Sequence, residues 1–344
     1  MSMKMVQARA YINDKKILAM FEVSLLVPVY GVEKYIEKCA RSLFEQTYKK
    51  IEYIFVDDCT PDDSIAVLQR VIEMYPNRKS QVKIVHHQKN RGLSAARNTA
   101  IRQASGDYIM HVDSDDYLEL DAVEKAINKA VSDNADMVIF DMNHVYNDAI
   151  IRGYAGVPDD RLEYLHKIIR RDSTVCLCGG LYRRSLYVDN NVWAIEGLNY
   201  GEDYVTKPRL VYYAHKITYL PQPLYNYVQY NMSSYTQNIT RKSIDDILKA
   251  CEVLAGFFIK LQDDTVEYGT IEAELKIRNK VFLLEYCNNC DRRYVNRLFP
   301  EMKNKKVSMA LKHKVVWWLS RYNMLRMMDV YVFISQLVKK SFHI

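Results

Sequence analysis

Residues 108–116 read YIMHVDSDD. Five largely apolar residues run without a break into Asp113-Ser114-Asp115-Asp116. A short continuous apolar run that stops at turn residues reads as a strand buried on both faces. The same design occurs twice upstream. VSLLVPV at Val23–Val29 closes near Pro28, which cannot donate to a sheet ladder, and leads into Tyr30. IEYIFV at 51–56 stops at Asp57 and Asp58. Two further apolar runs fit strands at Val82–His86 and 137–141.

Between these runs the apolar period becomes helical. Residues 33–46 set Tyr35, Ile36, Cys39, Leu43 and Phe44 at helical spacing. Thr60-Pro61-Asp62-Asp63 reads as an N-cap followed by proline and acids in the first turn of a second helix, which ends near Tyr75. A third helix starts around Leu93 and stops at Ser105-Gly106-Asp107, and a fourth covers 122–132. The alternation predicts an α/β, Rossmann-like, doubly wound and mostly parallel sheet. Ligands of such sheets bind off the carboxyl ends of the strands, and that is where Tyr30, Asp57, Asp58 and the acids of 113–116 are expected. From about residue 240 the pattern turns helical, with amphipathic helices expected at 241–262, 271–290, 311–320 and 327–340. The expected organisation is a leader at 1–21, a catalytic domain at 22–235 and a helical C-terminal region at 236–344 with a basic tail.

The composition, 49% hydrophobic and 26% charged, is that of a globular protein. The formal charge of +6 is unevenly placed: residues 301–344 hold nine Lys or Arg against two acids, and the rest is close to neutral. That distribution lacks the broad basic field of a nucleic-acid partner. Residues 1–20 carry scattered charges instead of a signal-peptide core, and no run of about 20 apolar residues offers a bilayer span. Seven cysteines without repeating spacing read as free thiols in a reducing, cytoplasmic compartment. Neither Cys176/Cys178 nor Cys287/Cys290 is followed by ligands at zinc-finger spacing.

Each acidic cluster has two readings. Asp113 and Asp115 form a D-x-D whose carboxylates can share one hard cation, Mg²⁺ or Mn²⁺, and bridge it to a diphosphate; a solvated turn is the alternative. Of Asp57 and Asp58, one can cap a helix while the other accepts from a pyrimidine N–H. The stretch 90–98, NRGLSAARN, puts polar and basic groups at a helix start, which suits anions, and Arg97 could reach a diphosphate; an ordinary surface helix fits as well. Glu202-Asp203 after Gly201 can supply a general base, or simply the acids that a helix dipole favours in its first turn.

Taken together, these residues resemble glycosyltransferase family 2, the inverting group with the GT-A fold. The resemblance covers roughly 22–235. Val27-Pro28-Val29-Tyr30 looks like the family's opening V-P-x-Y. Ser42-Leu43 with Gln46-Thr47-Tyr48 looks like its S-L-x-x-Q-T-Y, and Val56-Asp57-Asp58 with Asp62 and Ser64 like its V-D-D-x-S-x-D-x-S. Asn90 to Asn98 looks like N-x-G-x-S-x-A-R-N, 113–116 is its D-S-D-D, and Glu202-Asp203 stands where its E-D pair falls. The resemblance implies that Pro28, Tyr30 and Asp58 line a nucleobase pocket with Asp57 in support. It implies that Asn90 and Arg97 hold the nucleotide, with Asp113 and Ser114 near the ribose. Asp113 and Asp115 would bind the metal, and Asp203, beside Glu202, would be the base of a single displacement with inversion. The implied donor is a nucleotide-diphosphate sugar, by family habit a UDP-sugar. The implied acceptor is a saccharide or lipid-linked saccharide in cell-surface polysaccharide synthesis. Three departures stand out. Gly31 replaces a usual Asn, Cys59-Thr60-Pro61 replaces Gly-Ser-Thr, and Val228 stands where relatives often carry Arg, with Lys207, Arg183 or Arg184 as substitutes to examine.

A nucleotidyltransferase would want a Gly-rich basic loop after the first strand, which Tyr30-Gly31-Val32-Glu33 is not. A non-catalytic sugar-nucleotide-binding protein has no need of D-x-D together with Glu202-Asp203. The basic, aromatic stretch 305–344 fits helices packed on the protein, or a peripheral contact with the inner face of the plasma membrane.

Overall fold

The computed structural model describes residues 22–231, 239–261, 263 and 266–342; the expected leader at 1–21 lies outside them. The chain forms β1 (Val23–Val29), α1 (Ile36–Phe44), β2 (Ile51–Asp57), α2 (Ser64–Met74), α3 (Pro76–Lys79), β3 (Val82–His86), α4 (Leu93–Gln103), β4 (Tyr108–His111), β5 (Tyr117–Leu118), α5 (Ala122–Asp133), β6 (Met137–Val145) and β7 (Ile150–Gly153). There follow α6 (Arg161–Ile169), β8 (Gly180–Arg183), α7 (Ser185–Val188), α8 (Glu202–Tyr213), β9 (Ile217–Val228), α9 (Arg241–Leu261), α10 (Tyr268–Tyr286), α11 (Asn289–Arg297), α12 (Leu311–Arg321) and α13 (Leu325–Phe342). The sequence therefore anticipates the alternating half closely. It misses β5, β7, β8, β9, α3, α6, α7 and α11; most of these are short, and β9, the longest, is interrupted by two prolines.

The chain divides into two compact units. The first holds the sheet, in the order β3-β2-β1-β4-β8-β6-β9-β5 with β7 beside β6. Strands β3, β2, β1 and β4 are mutually parallel, as are β6 and β9, and β8 enters antiparallel between β4 and β6. All seven residues of β1 are buried, which is why its sequence shows no alternation. Ile36, Cys39, Ala40, Leu43 and Phe44 form the buried face of α1, as their spacing predicts. Pro28 lies inside β1, beyond the last residue paired with β4, so its missing N–H removes no ladder bond. Strand β9 contains Pro221 and Pro223, which read as breakers in the sequence. The register against β6 jumps from Phe140↔Leu220 to Asp141↔Pro223, and this bulge accommodates them. The second unit comprises 160–175, 198–209 and 232–344 and is helical. Its core gathers Ile244, Ile277, Leu284, Trp317 and Met328, among others.

The loops at the carboxyl edge of β1 and β2 are fixed by side chains. Thr60 is not an N-cap as its sequence suggested: α2 begins at Ser64, after Asp63. Residues 60–64 instead form a pinned turn centred on Asp62. Its Oδ1 accepts from Thr60 Oγ1 at 2.7 Å and from Ser64 Oγ at 2.5 Å, and its Oδ2 accepts from the Glu33 amide at 3.0 Å. Gly31 N donates to Thr60 Oγ1 and Val32 N to Ser64 Oγ. The Asp-x-Ser signature thus ties the β1 loop to the β2 loop. Gly31 has φ +68°, a conformation open to Gly and Asn, which explains why one replaces the other. Cys59, where relatives carry Gly, has φ +58°.

Two outcomes follow from these loops. Cys59→Gly is expected to raise unfolding stability by roughly 0.5–1 kcal/mol in denaturant titration, since a side chain at that φ is strained and the entropy lost with Gly offsets only part of it; a loss of stability would contradict the strain. Burial pushes the Asp62 carboxyl up, but the Ser64, Thr60 and backbone hydrogen bonds outweigh it and hold it below its usual value. A depressed carboxyl stabilises above its unfolded pKa and loses that contribution as pH falls through the folded one. Asp62→Asn should therefore lower Tm at neutral pH, with the gap to wild type closing in acid; a gap that stays constant with pH would refute the assignment.

Candidate active site

Strands β2, β1 and β4 are neighbours, with Val29 opposite Asp57 and Leu26 opposite His111. Tyr30, Asp57, Asp58 and the acids of 113–116 therefore emerge at one edge of the sheet, as the sequence predicts. Tyr30 is half exposed there.

Asp58 is buried, and its oxygens accept from the amides of Arg91 at 2.9 Å and Gly92 at 2.7 Å and meet His87 Nδ1 at 2.6 Å. Neither paired aspartate caps the α2 that follows them; Asp58 instead holds the backbone turn at Arg91 and Gly92 that leads into α4. Gly92, at φ +85°, makes the turn that presents both amides. A carboxylate offers about four acceptor sites, so Asp58 keeps capacity for a further donor. Asp57 accepts from Thr60 N at 2.9 Å and meets His86 Nδ1 at 2.8 Å. Asn90 is exposed just before α4, and its neighbour Arg91 pairs with Glu196. Asn98, read only as part of a motif, exchanges two 2.9 Å hydrogen bonds with the backbone of Ala194 and fixes that segment to α4.

The D-S-D-D turn holds three carboxylates in four residues. Arg97, buried, donates from Nη2 to Asp113 Oδ1 at 3.0 Å. It is thus a partner of the acidic turn. Asp113 Oδ2 lies 3.1 Å from Cys178 Sγ, and its amide donates to the Tyr225 hydroxyl at 3.1 Å. Ser114 is buried. Asp116 is committed to β9: it accepts from the Tyr225 hydroxyl at 2.6 Å and from Val228 N at 2.7 Å. Burial pushes its carboxyl well up, and the Asp115 and Asp113 charges push it further. Asp115 accepts from Asn231 Nδ2 at 2.7 Å. Burial and then the Asp113 charge raise its pKa, against the Asn231 bond. Tyr35 and Tyr230, whose rings lie 6.2 Å apart, stand near it; their only sequence signal was proximity to the motifs. Cys178 and Tyr225 likewise escaped the sequence reading, because a thiol and a phenol far along the chain carry no local pattern.

Position 228 offers a backbone amide to Asp116 in place of an Arg side chain. Arg183 and Arg184 do not substitute: they pair with Asp136 and with the Gly106 carbonyl, beside the amino end of β4. Lys207, in the second unit, is buried and donates to Thr174 O at 2.9 Å.

Glu202 and Asp203 open α8 and belong to the second unit, Glu202 buried and Asp203 half-buried. This helix start is anchored from α10. Asn279 donates to the Tyr204 hydroxyl at 2.8 Å and accepts from Arg171 Nε at 2.9 Å, and Tyr204 donates to Ile169 O at 2.7 Å. The Arg171 guanidinium lies 4.2 Å from the Tyr204 ring centre and 4.1 Å from that of Phe282.

Among the described residues no three His, Cys, Asp or Glu side chains form a ready-made cation cage. A Mg²⁺-type ion does not require one, since it binds through one or two carboxylates plus substrate phosphates. Three buried or half-buried acids facing one guanidinium leave a deficit of positive charge, and that fits such an ion.

Comparison with known proteins agrees with this chemistry. The sequence model of glycosyl transferase family 2 matches residues 24–155. EpsH of Bacillus subtilis (strain 168), named as a glycosyltransferase, is 30% identical over 300 residues, covering 84% of this chain and 83% of EpsH. TarS of Staphylococcus aureus, a poly(ribitol-phosphate) beta-N-acetylglucosaminyltransferase, is 28% identical over 215 residues, 60% of this chain but 35% of TarS. The crystal structure of TarS 1–349 in complex with UDP-GlcNAc matches with a TM-score of 0.66 at 20% identity, covering 93% of this chain and 92% of that one, a likeness of fold. A match that runs along most of both chains, onto a sheet edge built as the motifs require, settles the family: this chain belongs to glycosyl transferase family 2 and is a glycosyltransferase of the GT-A fold.

Proposed function

We propose that the enzyme moves a hexose or N-acetylhexosamine from a UDP-sugar to an acceptor hydroxyl with inversion, at the cytoplasmic face of the membrane, during cell-surface polysaccharide synthesis. The acceptor is a saccharide or lipid-linked saccharide. The catalytic region is proposed to run along the sequence from 22 to 235, although its stretches 160–175 and 198–209 cluster with the C-terminal helices in the second unit. The proposal rests above all on the D-S-D-D turn. Of its carboxylates Asp116 has both oxygens bonded to β9, whereas Asp115, with one oxygen on Asn231, and Asp113, with one oxygen on Arg97, keep acceptor capacity for a cation.

In this reading Tyr30 stacks on the base, and the remaining acceptor site of Asp58 takes the pyrimidine N–H. Pro28 and Asp57 hold the strand ends that carry them, and Asn90 contacts the nucleotide. Arg97 holds the Asp113 carboxylate in place, with Ser114 closing the turn near the ribose. Asp113 and Asp115 would hold Mg²⁺ or Mn²⁺, which when bound neutralises the departing diphosphate. Asp203, in the first turn of α8 where the helix dipole favours an anion, takes the proton of the attacking hydroxyl, and Glu202 supports it. Single displacement from the face opposite the leaving group gives inversion.

Two variants test the assignment. Asp203→Asn is expected to lower transfer by about 10²–10⁴ with UDP affinity retained in calorimetry; undiminished transfer would remove Asp203 as the base. Asp115→Asn is expected to abolish the gain in UDP affinity that Mn²⁺ brings; a gain equal to that of the wild type would place the cation elsewhere.

A further inference from the structure

Helices α12 and α13 follow one another in the second unit and pack together. Their inner faces enter that unit's core through Val316, Leu319, Met328 and Val332. Their outer faces are also apolar. On α13, Met327, Val330, Ile334 and Leu337 recur every three or four residues and are about half exposed, and Phe333 beside them is 62% exposed. Leu311 and Trp318 of α12 and Tyr322 just after it are also exposed, in line with Lys314; Trp318 is 50% exposed, and its ring lies 5.2 Å from that of Tyr322. Single exposed apolar residues are unremarkable, but a contiguous stripe of them marks a contact surface.

The charges around these residues are basic. Lys314 lies among the exposed residues of α12, Lys312 beside them, and Arg321 and Arg326 flank the turn between the helices. The one acid of α12 and α13, Asp329, is engaged by Arg292. A second copy of the chain meeting this face about a two-fold axis would set the same cations against one another. An anionic lipid surface instead satisfies both features, since apolar side chains enter the acyl boundary while Lys and Arg meet the headgroups. Trp and Tyr beside the stripe suit that boundary. Among the described residues no helix is long and apolar enough to cross a membrane, so the contact would lie in the interface plane.

We infer that the outer faces of α12 and α13 are a docking surface for an anionic bilayer. The inference goes beyond the transfer chemistry and does not depend on which residue is the base. It is tested by floating the full-length protein with vesicles of phosphatidylglycerol and phosphatidylcholine, and with vesicles of phosphatidylcholine alone. The wild type should float with the former and be released by salt. Phe333→Asp with Ile334→Asp should lose binding at least about tenfold while thermal unfolding and transfer to a water-soluble acceptor stay unchanged, because both side chains are exposed. Lys314→Gln with Arg326→Gln should weaken binding to the anionic vesicles by about tenfold or more. No flotation of the wild type, binding indifferent to headgroup charge, or concentration-dependent self-association through this face without lipid binding would each overturn the inference.

Discussion

Electrostatic repulsion within a single turn governs this structure. Asp113, Asp115 and Asp116 follow one buried strand, and burial together with the neighbouring carboxylate charges makes Asp115 and Asp116 harder to ionise. Elements distant in sequence answer that repulsion. Arg97 arrives from α4, Tyr225 and the Val228 amide from β9, and Asn231 from just beyond it. Helix α4 packs on β1 and β2, which sets Arg97 beside the turn that follows the neighbouring β4, and the pairing of β5 with β9 carries Tyr225 to Asp116. A bound cation would complete what these contacts begin.

The site and the fold were legible to different depths. Continuous apolar runs, ending in Tyr30 for β1 and in acids for β2 and β4, marked these strands, and their shared edge followed from strand–helix alternation. The antiparallel half was opaque. Gly180–Arg183 is too short for a period to show, and the prolines of β9 look like breakers until the bulge opposite Asp141 is seen. Of the motif residues, several that look chemical are architectural. Asp62 ties two loops together, Asn98 clamps Ala194, and Arg97 serves the acidic turn. A sequence shows which residues recur at a spacing, but not whether a side chain faces its own backbone or a ligand. Asp58 shows how the two roles meet in one group, since holding the turn before α4 fixes the carboxylate while leaving it an acceptor site.

The helical unit has a comparable logic. The start of α8, with Glu202 and Asp203, is held through Tyr204 and Arg171 by Asn279 of α10, so helices that read as an appendage brace the segment bearing the proposed base. Its last two helices pair an apolar inner face with an apolar outer one. The basic aromatic stretch was visible in the sequence, but which residues turn outward was not.

The proposed mechanism requires one cation and one diphosphate to share the edge built by β1, β2 and β4. A crystal structure grown with UDP and Mn²⁺ is expected to show an anomalous manganese peak in contact with Asp115 and both phosphates, with the uracil between Tyr30 and Asp58. Nucleotide bound away from that edge, or manganese without Asp115 among its ligands, would contradict the mechanism.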